Sequence, residues 1–483
     1  MRPLAWRSML FERFEDLGLS QYSYAVGCPA AGALAIVDPR RDIDVYLEFA
    51  AANGLAIEHV LETHIHADFA SGARALAEAA GARLLLSAYD EGEKYEVAFP
   101  HTETRDGDSI EVGSVRLQAL HTPGHTPEHL SFLVYDTTRT AEVPEILLSG
   151  DFLFVGSLGR PDLLGEDAKR ELAHRLYGSV REKLAELPDG LEVHPGHGAG
   201  SMCGAGMSAR PLSTLGYERA ANPYLDPALD EEAFVEKILG SSPPFPPYYR
   251  RMKERNAAGP RILAGLPGGE PIPAARFREL AEQGHVVVDL RDQLAFGMGH
   301  VPGSFGIGVD GSLSTWAAWV VPYDTPILLV PPEGPYAAVS DAVERAARAL
   351  VRVGLDDVRG HLAGGLPAWR QAGFPVAETT LIGARELHQH LATGHGPIVL
   401  DVRSDGEWAG GHIEGAVHIM GGFLADRLSD VPDGDRPVAV VCGSGYRSTV
   451  AAGVLERGGF QHVINLTGGM NAWRSVGLPV STS

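Results

Sequence analysis

The second half of the chain contains a sequence that is repeated, and this repeat limits the folds available to it. Three segments of the first copy recur in the same order in the second: 286–291 as 398–403, 299–303 as 411–415, and 362–370 as 466–474. Apolar strand-like runs and helical stretches alternate in each copy, over about a hundred residues, which is the usual size of one small α/β domain. The repeat therefore predicts two successive α/β domains of the same fold.

The length of the chain leaves room for a further domain before the repeat. A chain of 483 residues exceeds the size at which a single hydrophobic core keeps growing. Strand-like and helical segments also alternate in the first part, and Pro and Gly become frequent from 241 to 269. We place a boundary near residue 270 and predict three domains, 1–270, 271–378 and 379–483.

Composition excludes several classes of partner. Lys and Arg number 40 against 62 Asp and Glu, and the net charge of −22 opposes binding to nucleic acid or to anionic lipid. No apolar run reaches membrane-spanning length. The three cysteines are too few for a disulfide framework and suit a reducing compartment, so we expect a cytoplasmic protein. A homo-oligomer stays open as an alternative to a monomer.

Metal-ligating residue types are concentrated in four segments of the first part. Each segment places His or Asp in a loop at the end of a predicted strand: 63–69, 121–126, 148–151 and 194–198. Imidazole and carboxylate are ligands for zinc, iron and manganese. One isolated His is most simply a structural residue, but four such segments together predict a metal site.

In this order the segments resemble the metallo-β-lactamase superfamily, whose pattern is Thr-His-x-His-x-Asp-His followed by a distant His, Asp and His. The resemblance covers roughly the first 215 residues and implies an αββα sandwich. In dinuclear hydrolases of the superfamily, such as glyoxalase II, the Asp-His pair that closes the first motif serves a second metal. Phe69 occupies that His position here and cannot ligate. The resemblance therefore implies a single metal.

Two imidazoles and one carboxylate with three open positions suit a non-haem Fe(II) that binds O₂ and a substrate together. The persulfide dioxygenases are the branch that the chain most resembles. This resemblance implies His64, His125 and Asp151 as ligands of one Fe(II), with zinc as the alternative metal. The implied substrates are a low-molecular-weight thiol persulfide and O₂, and the implied products are sulfite and the thiol.

Four further residues surround this predicted centre. His66, Asp68 and His197 would orient ligands or handle protons, and the alternative is that they are remnants of a dinuclear ancestor. Arg160 would hold an anionic group of the substrate, or form a salt bridge instead.

A second candidate site lies in the second copy of the repeat. Cys442 follows the predicted strand 438–441 and precedes a predicted helix, in a loop that continues with Gly443, Ser444, Gly445, Tyr446, Arg447 and Ser448. A thiol at a helix N-terminus faces backbone N–H groups and the positive end of the helix dipole, which favours the thiolate. Arg447 adds a cation that can hold a sulfane sulfur or an anionic acceptor.

Both copies resemble the rhodanese family. Four residues separate Cys442 from Arg447, a loop length that in this family favours sulfur transfer over phosphatase action. The corresponding segment of the first copy, 331–336, has neither Cys nor Arg. We therefore expect the first copy to be an inactive rhodanese-like domain, serving as a spacer or as an interface to the N-terminal domain. Cys28 and Cys203 are interpreted as packing residues.

Joined together, the parts predict a persulfide dioxygenase coupled to sulfur transfer. Sulfite that accepts a sulfur from Cys442 would give thiosulfate, and the reverse flow, in which thiosulfate loads Cys442, is equally open. One alternative is a zinc-dependent, glyoxalase II-like thioester hydrolase fused to a sulfurtransferase. Another is a non-catalytic carrier of sulfane sulfur.

Overall fold

The computed structural model describes residues 9–432 and 436–482. The chain divides into two compact units, Met1–Ala264 and Gly265–Ser483. The finer division at residues 270 and 378 stays a prediction. Among the described residues, no helix has both the length and the apolar composition required to cross a membrane.

The first unit is built from short strands and helices that alternate along the chain. Its strands are β1 (Leu10–Asp16), β2 (Gln21–Cys28), β3 (Ala33–Val37), β4 (Ala56–Leu61), β5 (Arg83–Ser87), β6 (Thr102–Thr104), β7 (Ser109–Val112), β8 (Val115–His121), β9 (Leu130–Asp136), β10 (Ile146–Gly150), β11 (Leu153–Phe154), β12 (Ser157–Leu158), β13 (Glu192–Pro195) and β14 (Ser213–Thr214). Its helices are α1 (Asp44–Asn53), α2 (Ala73–Ala80), α3 (Lys169–Lys183), α4 (Leu215–Ala221), α5 (Glu231–Ser241) and α6 (Tyr248–Ala258).

These elements form four layers. Two six-stranded sheets pack face to face, in the orders β1-β2-β3-β4-β5-β6 and β14-β13-β10-β9-β8-β7. Strand β3 is apolar throughout because both of its faces are buried. Ala33, Ala35 and Val37 face the other sheet, whereas Leu34 and Ile36 face the helices α1 and α2. Helices α3 and α5 cover the outer face of the second sheet. The predicted αββα sandwich is present.

The strand directions bring the predicted metal ligands to one edge of the sandwich. Strand β10 is parallel to β13, and β8 and β10 are both antiparallel to β9, so β8, β10 and β13 end at the same edge. They end at His121, Gly150 and Pro195, directly before loops that carry His125, Asp151 and His197. Ligands that are distant in sequence can therefore meet there.

The second unit contains the two copies of the repeat. Elements of the first copy are β15 (Pro271–Ile272), α7 (Ala274–Glu282), β16 (Val286–Asp289), α8 (Gln293–Gly297), β17 (Phe305–Gly306), α9 (Leu313–Val320), β18 (Ile327–Val330), α10 (Tyr336–Arg352), β19 (Val358–Leu362) and α11 (Gly365–Gln371). Elements of the second copy are β20 (Thr380–Ile382), α12 (Ala384–Ala392), β21 (Ile398–Asp401), α13 (Asp405–Ala409), β22 (Val417–His418), two 3₁₀ turns (Gly421–Phe423 and Ala425–Asp430), β23 (Val438–Val441), α14 (Tyr446–Arg457), β24 (Val463–Leu466) and α15 (Gly469–Ser475).

The two copies have the same strand order, and their registers agree except for one shift between Ile327 and Leu328 of the first copy. Their five parallel strands are ordered β15-β19-β18-β16-β17 and β20-β24-β23-β21-β22. Asp289 binds Arg291 in the first copy at 2.6 Å, and Asp401 binds Arg403 in the second at the same distance. The repeated Asp-x-Arg motif thus builds the same buried ion pair twice.

Candidate functional site

The three predicted metal ligands come together in the first unit. Ligand atoms of His64, His125 and Asp151 all lie within 4.8 Å of one another, and all three side chains are buried. Asp151 Oδ2 is 3.4 Å from His125 Nε2 and 3.9 Å from His64 Nε2. The set offers two imidazole nitrogens and one carboxylate oxygen to a common point.

The hydrogen bonds around this triad leave its inward atoms free for a metal. His64 Nδ1 donates to Thr63 Oγ1 at 2.9 Å, because that hydroxyl already donates to Asp38 Oδ2. His125 Nδ1 donates to the carbonyl oxygen of Arg160 at 2.9 Å. The facing atoms, His64 Nε2, His125 Nε2 and Asp151 Oδ2, are buried and have no hydrogen-bond partner among the described residues. Buried polar atoms without partners are costly, and a bound cation would satisfy all three.

The electrostatic surroundings keep both imidazoles neutral. Burial is the main cause that holds the pKa of His64 and of His125 well below 6.5, and neighbouring histidines and Lys253 add to it. A neutral imidazole presents the lone pair that a metal requires. The residues therefore fit a metal ion as they stand.

His197, a predicted neighbour of the centre, connects two carboxylates. Its Nδ1 is 2.7 Å from Asp151 Oδ1 and its Nε2 is 2.7 Å from Asp68 Oδ2. Burial alone would lower the pKa of His197, but the two carboxylates raise it well above 6.5. His197 is therefore an imidazolium that donates to Asp151 on one side and to Asp68 on the other. Burial would raise the pKa of Asp68, but the charge and hydrogen bond of His197 outweigh it and lower that pKa.

His66, another predicted neighbour of the centre, contacts Asp38, whereas His197 contacts the ligand Asp151. Its Nε2 lies 3.2 Å from Asp38 Oδ1, and its ring packs against Phe69 with the ring centroids 4.3 Å apart. Phe69 is fully buried. The position that carries the last histidine of the first motif in dinuclear relatives is thus filled by an aromatic ring.

The two remaining predicted residues of the first unit are held by protein groups. Arg160 makes two hydrogen bonds to Asp162, of 2.6 and 2.8 Å, and a third to the carbonyl of Met202. Its role as a substrate anchor stays a prediction. Cys203 lies beside Asp68 and His197, within 4.8 Å of their ligand atoms. Burial raises the pKa of its thiol well above 9, so the neutral thiol is the stable form.

Sequence reasoning missed the residues that support the metal loop from helix α6. Lys253 Nζ donates to Ile65 O at 2.9 Å, and Asn256 Nδ2 donates at 2.8 Å to the carbonyls of both His66 and Phe69. Nothing in the Pro- and Gly-rich segment around this helix signals such a role. Asp38, by contrast, directly follows the apolar strand β3 and could have been found as a polar residue at a strand end.

In the second unit, Cys442 lies in the predicted loop between β23 and α14. Its Sγ accepts the Gly445 N–H at 3.0 Å and lies 3.4 Å from Ser448 Oγ. The carbonyl of Cys442 accepts the N–H of Met470 at 2.7 Å, so helix α15 also supports the loop. Cys442 is only 1% exposed. The loop therefore surrounds the sulfur.

Arg447 is engaged by a partner that sequence reasoning missed. Its two terminal nitrogens each lie 2.6 Å from a carboxylate oxygen of Glu407 on α13. The hydrogen bonds from Arg447 lower the pKa of Glu407 to about 2, although burial opposes this. The repeat contained a signal, because Ala295 stands at the position of Glu407 in the copy that lacks the arginine.

Comparisons with known proteins cover both parts of the chain. Residues 17–197 match the metallo-beta-lactamase superfamily, and residues 273–372 and 383–476 each match the rhodanese-like domain. The hydroxyacylglutathione hydrolase of Anaeromyxobacter dehalogenans is 33% identical over 260 residues, which are 49% of this chain and 92% of that protein. The human mitochondrial persulfide dioxygenase ETHE1 is 29% identical over 238 residues, 48% of this chain and 81% of that protein.

One solved structure is similar beyond the first unit. It is described as a metallo-beta-lactamase from Staphylococcus aureus and is 36% identical, with a TM-score of 0.66. The match covers 74% of this chain and 100% of that chain. Because the first unit ends at Ala264, a match of this extent continues into the repeat.

Proposed function

Since this chain belongs to the metallo-beta-lactamase superfamily and carries two rhodanese-like domains in tandem, we propose that it is a persulfide dioxygenase coupled to a sulfurtransferase. The predicted fold class, an αββα sandwich followed by two rhodanese-like α/β domains, is confirmed. The proposed reaction converts a thiol persulfide and O₂ into sulfite and the thiol at one Fe(II). Cys442 then carries the sulfane sulfur that links this reaction to thiosulfate.

The observation that carries the proposal is a set of three donors beside a position where the dinuclear motif has lost a histidine. His64, His125 and Asp151 supply three donors with free inward atoms, whereas Phe69 removes a donor from the second metal position. The neighbouring group of Asp68, His197 and Cys203 also offers three possible donors, but both ring nitrogens of His197 are hydrogen-bonded, to Asp151 and to Asp68. A three-donor site with open positions suits Fe(II) that must bind both a sulfur substrate and O₂.

Each residue of the chain then has a defined part in the oxidation. His64, His125 and Asp151 would hold the ion, and Fe(II) when bound supplies the activation of O₂ and the oxidation of the persulfide sulfur. His197 donates to Asp151 Oδ1 and orients that carboxylate. Burial of the whole set excludes bulk water from the reacting sulfur.

The transfer step takes place in the second rhodanese-like domain. A lone pair on the sulfur of sulfite attacks the outer sulfur of a Cys442 persulfide, and the bond between the two persulfide sulfurs breaks. Thiosulfate leaves and the electron pair returns to Cys442 as a thiolate, which the Gly445 N–H stabilises. In the reverse direction, the same loop would accept a sulfur from thiosulfate.

The test is oxygen uptake by the iron-reconstituted protein given glutathione persulfide, with sulfite and thiosulfate measured in parallel. We expect uptake in the parent and in Cys442→Ser, with thiosulfate formed by the parent and sulfite accumulating in the variant. His125→Gln should abolish uptake. His194→Gln is the matched control, because His194 is a buried histidine of the same unit whose Nε2 contacts Glu192 instead. Iron-loaded parent protein without uptake would refute the proposal.

A second function is favoured by one comparison. The relative from Anaeromyxobacter dehalogenans is a hydroxyacylglutathione hydrolase, and its match covers nearly all of that protein. We therefore keep zinc-dependent thioester hydrolysis as the alternative. Zinc-loaded protein that hydrolyses a glutathione thioester, together with iron-loaded protein that consumes no oxygen, would establish it.

A further inference from the structure

We propose that the first, thiol-free copy of the repeat is a positioning element for the Cys442 loop of the second copy. The inference extends the proposed sulfur transfer by giving the inactive domain a part in it. The contacts that carry it lie within the second unit, between the first copy and the segment 443–457. This segment comprises the loop and helix α14, whose N-terminus faces Cys442.

The first contact holds the loop itself. Tyr446 follows Gly445 in the loop, and its hydroxyl donates to the carbonyl of Gly308 in the first copy at 3.0 Å. A methyl group at Gly311 would lie 2.2 Å from the Tyr446 ring, so the first copy fits closely around this ring. Burial, with Asp310 nearby, raises the pKa of the Tyr446 phenol, which therefore remains a hydrogen-bond donor.

The second contact is made to Gly445, the residue whose N–H donates to the sulfur of Cys442. Gly445 donates its N–H to Cys442 Sγ, and a methyl group at Gly445 would lie 1.9 Å from Gln293 Oε1. Gln293 is the first residue of α8, and the start of this helix is fixed because the Asp292 side chain accepts the N–H groups of Leu294 and Ala295. The first copy therefore packs directly against the backbone that donates to the sulfur.

The third group of contacts holds the far end of α14. Glu456 accepts from His300 Nε2 of the first copy at 2.8 Å, and also from Thr379 Oγ1, the first residue of the second copy, at 2.8 Å. Arg457 donates to the carbonyl of Gly303 at 2.8 Å. Helix α14 is therefore fixed at both ends by groups outside the second sheet, and its N-terminal dipole points at Cys442 in a set direction.

Fixing the loop matters because its donors act over short distances. A hydrogen bond to a thiolate weakens steeply with length and angle, and a small displacement of Gly445 would weaken the one bond that its N–H makes to Sγ. A cavity of about 230 Å³ lies between Gln293, Asp310, Ser444 and Tyr446. Loss of the bridging groups would let the loop relax into this space.

The experiment uses the full chain with Tyr446→Phe and, separately, Gln293→Ala. Iodoacetamide alkylation of Cys442 is followed at fixed pH by mass spectrometry of the Cys442 peptide, and sulfur transfer from thiosulfate to cyanide is measured alongside. We expect both rates to fall about tenfold in Tyr446→Phe, the scale of one lost hydrogen bond, and to fall in the same direction in Gln293→Ala, which removes the packing contact with Gly445. The midpoint of thermal unfolding and the iron content should stay at parent values.

Tyr323→Phe is the matched control. The Tyr323 hydroxyl also donates to a backbone carbonyl, that of Val353, at 3.1 Å within the first copy. We expect its two rates to stay within twofold of the parent. Alkylation and transfer rates that are unchanged in both Tyr446→Phe and Gln293→Ala would overturn the inference.

The two proposals fail separately. If the parent protein transfers no sulfur but the two variants still slow alkylation of Cys442, the proposed function fails and the positioning role stands. If one variant does not fold, the other decides, because Tyr446 and Gln293 belong to different copies.

Discussion

At the scale of single residues, each histidine of the candidate metal centre has one nitrogen bound by the protein and the other left for a ligand. Thr63 and the carbonyl of Arg160 determine which nitrogen that is. The Arg447 guanidinium also has a protein partner, because Glu407 binds both of its terminal nitrogens. Arg447 must release Glu407, or share it, before it binds an anionic sulfur donor.

The first prediction concerns this pair. Glu407→Gln removes the competing charge, so Arg447 becomes available to the sulfonate end of thiosulfate. We expect the KM for thiosulfate to fall about three- to fivefold with kcat little changed, the range of a partly exposed ion pair. Because the pKa of Glu407 is about 2, the effect should be the same from pH 5 to pH 9.

Asp430→Asn is the control for the change in net charge. Asp430 pairs with Arg427 at 2.7 Å on the surface of the same domain, away from the loop. Its KM for thiosulfate should match that of the parent. A higher KM in Glu407→Gln would show instead that Glu407 holds Arg447 in its productive position.

The sequence was sufficient to predict the candidate ligands and the candidate nucleophile, since His64, His125, Asp151 and Cys442 follow from residue type, spacing and family resemblance, and the first three do lie together. Their partners were harder to find. Glu407 could have been identified by comparing the two copies, but the bond from His125 to the carbonyl of Arg160 is made by backbone. A backbone group has no signature in side-chain identity.

At the scale of elements, helix α6 supports the loop that supplies His64. Asn256 reaches across to the carbonyls of His66 and Phe69, and its Oδ1 accepts the N–H of Ser71 at 2.9 Å. The loop 63–69 is therefore tied to an element almost 190 residues later in the chain. Such a tie depends on tertiary packing, which explains why local sequence patterns did not predict it.

The second prediction tests this tie. Asn256→Ala removes the partner of two carbonyls of the loop and of the Ser71 N–H that follows it, and we expect iron affinity to fall about ten- to a hundredfold. Metal titration of the apoprotein measures the change. Asn222→Ala is the control, because Asn222 is also a buried amide that donates to a backbone carbonyl, that of Ser157, on another element. Equal affinities in the two variants would contradict the prediction.

Helix α15 provides the third prediction. A methyl group at Gly469 would lie 2.2 Å from the carbonyl oxygen of Cys442, whereas at the equivalent Gly365 of the first copy the nearest atom is 3.7 Å away. Both glycines have positive φ, 54° and 59°, so both alanine variants carry similar backbone strain.

We expect Gly469→Ala to lower sulfur transfer more than tenfold and Gly365→Ala to leave it within about twofold. Thermal unfolding should report the shared strain as a similar loss of stability, about 1 kcal/mol, in both variants. Equal loss of transfer in the two would indicate that strain, and not displacement of Cys442, is responsible.

At the scale of the whole molecule, the repeat predicted two domains of one fold, and the two sheets do share strand order and, apart from one shift, register. The sequence could predict this because the repeated segments are those that build the sheet and its buried Asp-Arg pair. It did not predict the contacts between the copies. Gln293 packs against Gly445, and Tyr446 binds the carbonyl of Gly308. These contacts join unlike surfaces of the two copies, which a comparison of equivalent positions does not detect.

The fourth prediction follows from the net charge of −22. Long-range repulsion slows the approach of an anionic substrate, and salt screens that repulsion. We expect kcat/KM for glutathione persulfide to rise about twofold between roughly 0.02 and 0.2 M ionic strength. Cysteamine persulfide, which carries an ammonium group, should show no rise or a decline. The same rise for both would point to an effect of salt on the protein instead.

Under the proposed function, the burial of Cys442 has a consequence for the fate of a sulfur bound to it. A thiol from bulk solution releases hydrogen sulfide from a persulfide only if it approaches in line with the bond between the two sulfurs. The loop surrounds this cysteine, and 1% of it is exposed. Cellular reductants should therefore drain the loaded enzyme slowly, and the stored sulfur should outlast many encounters with free thiols.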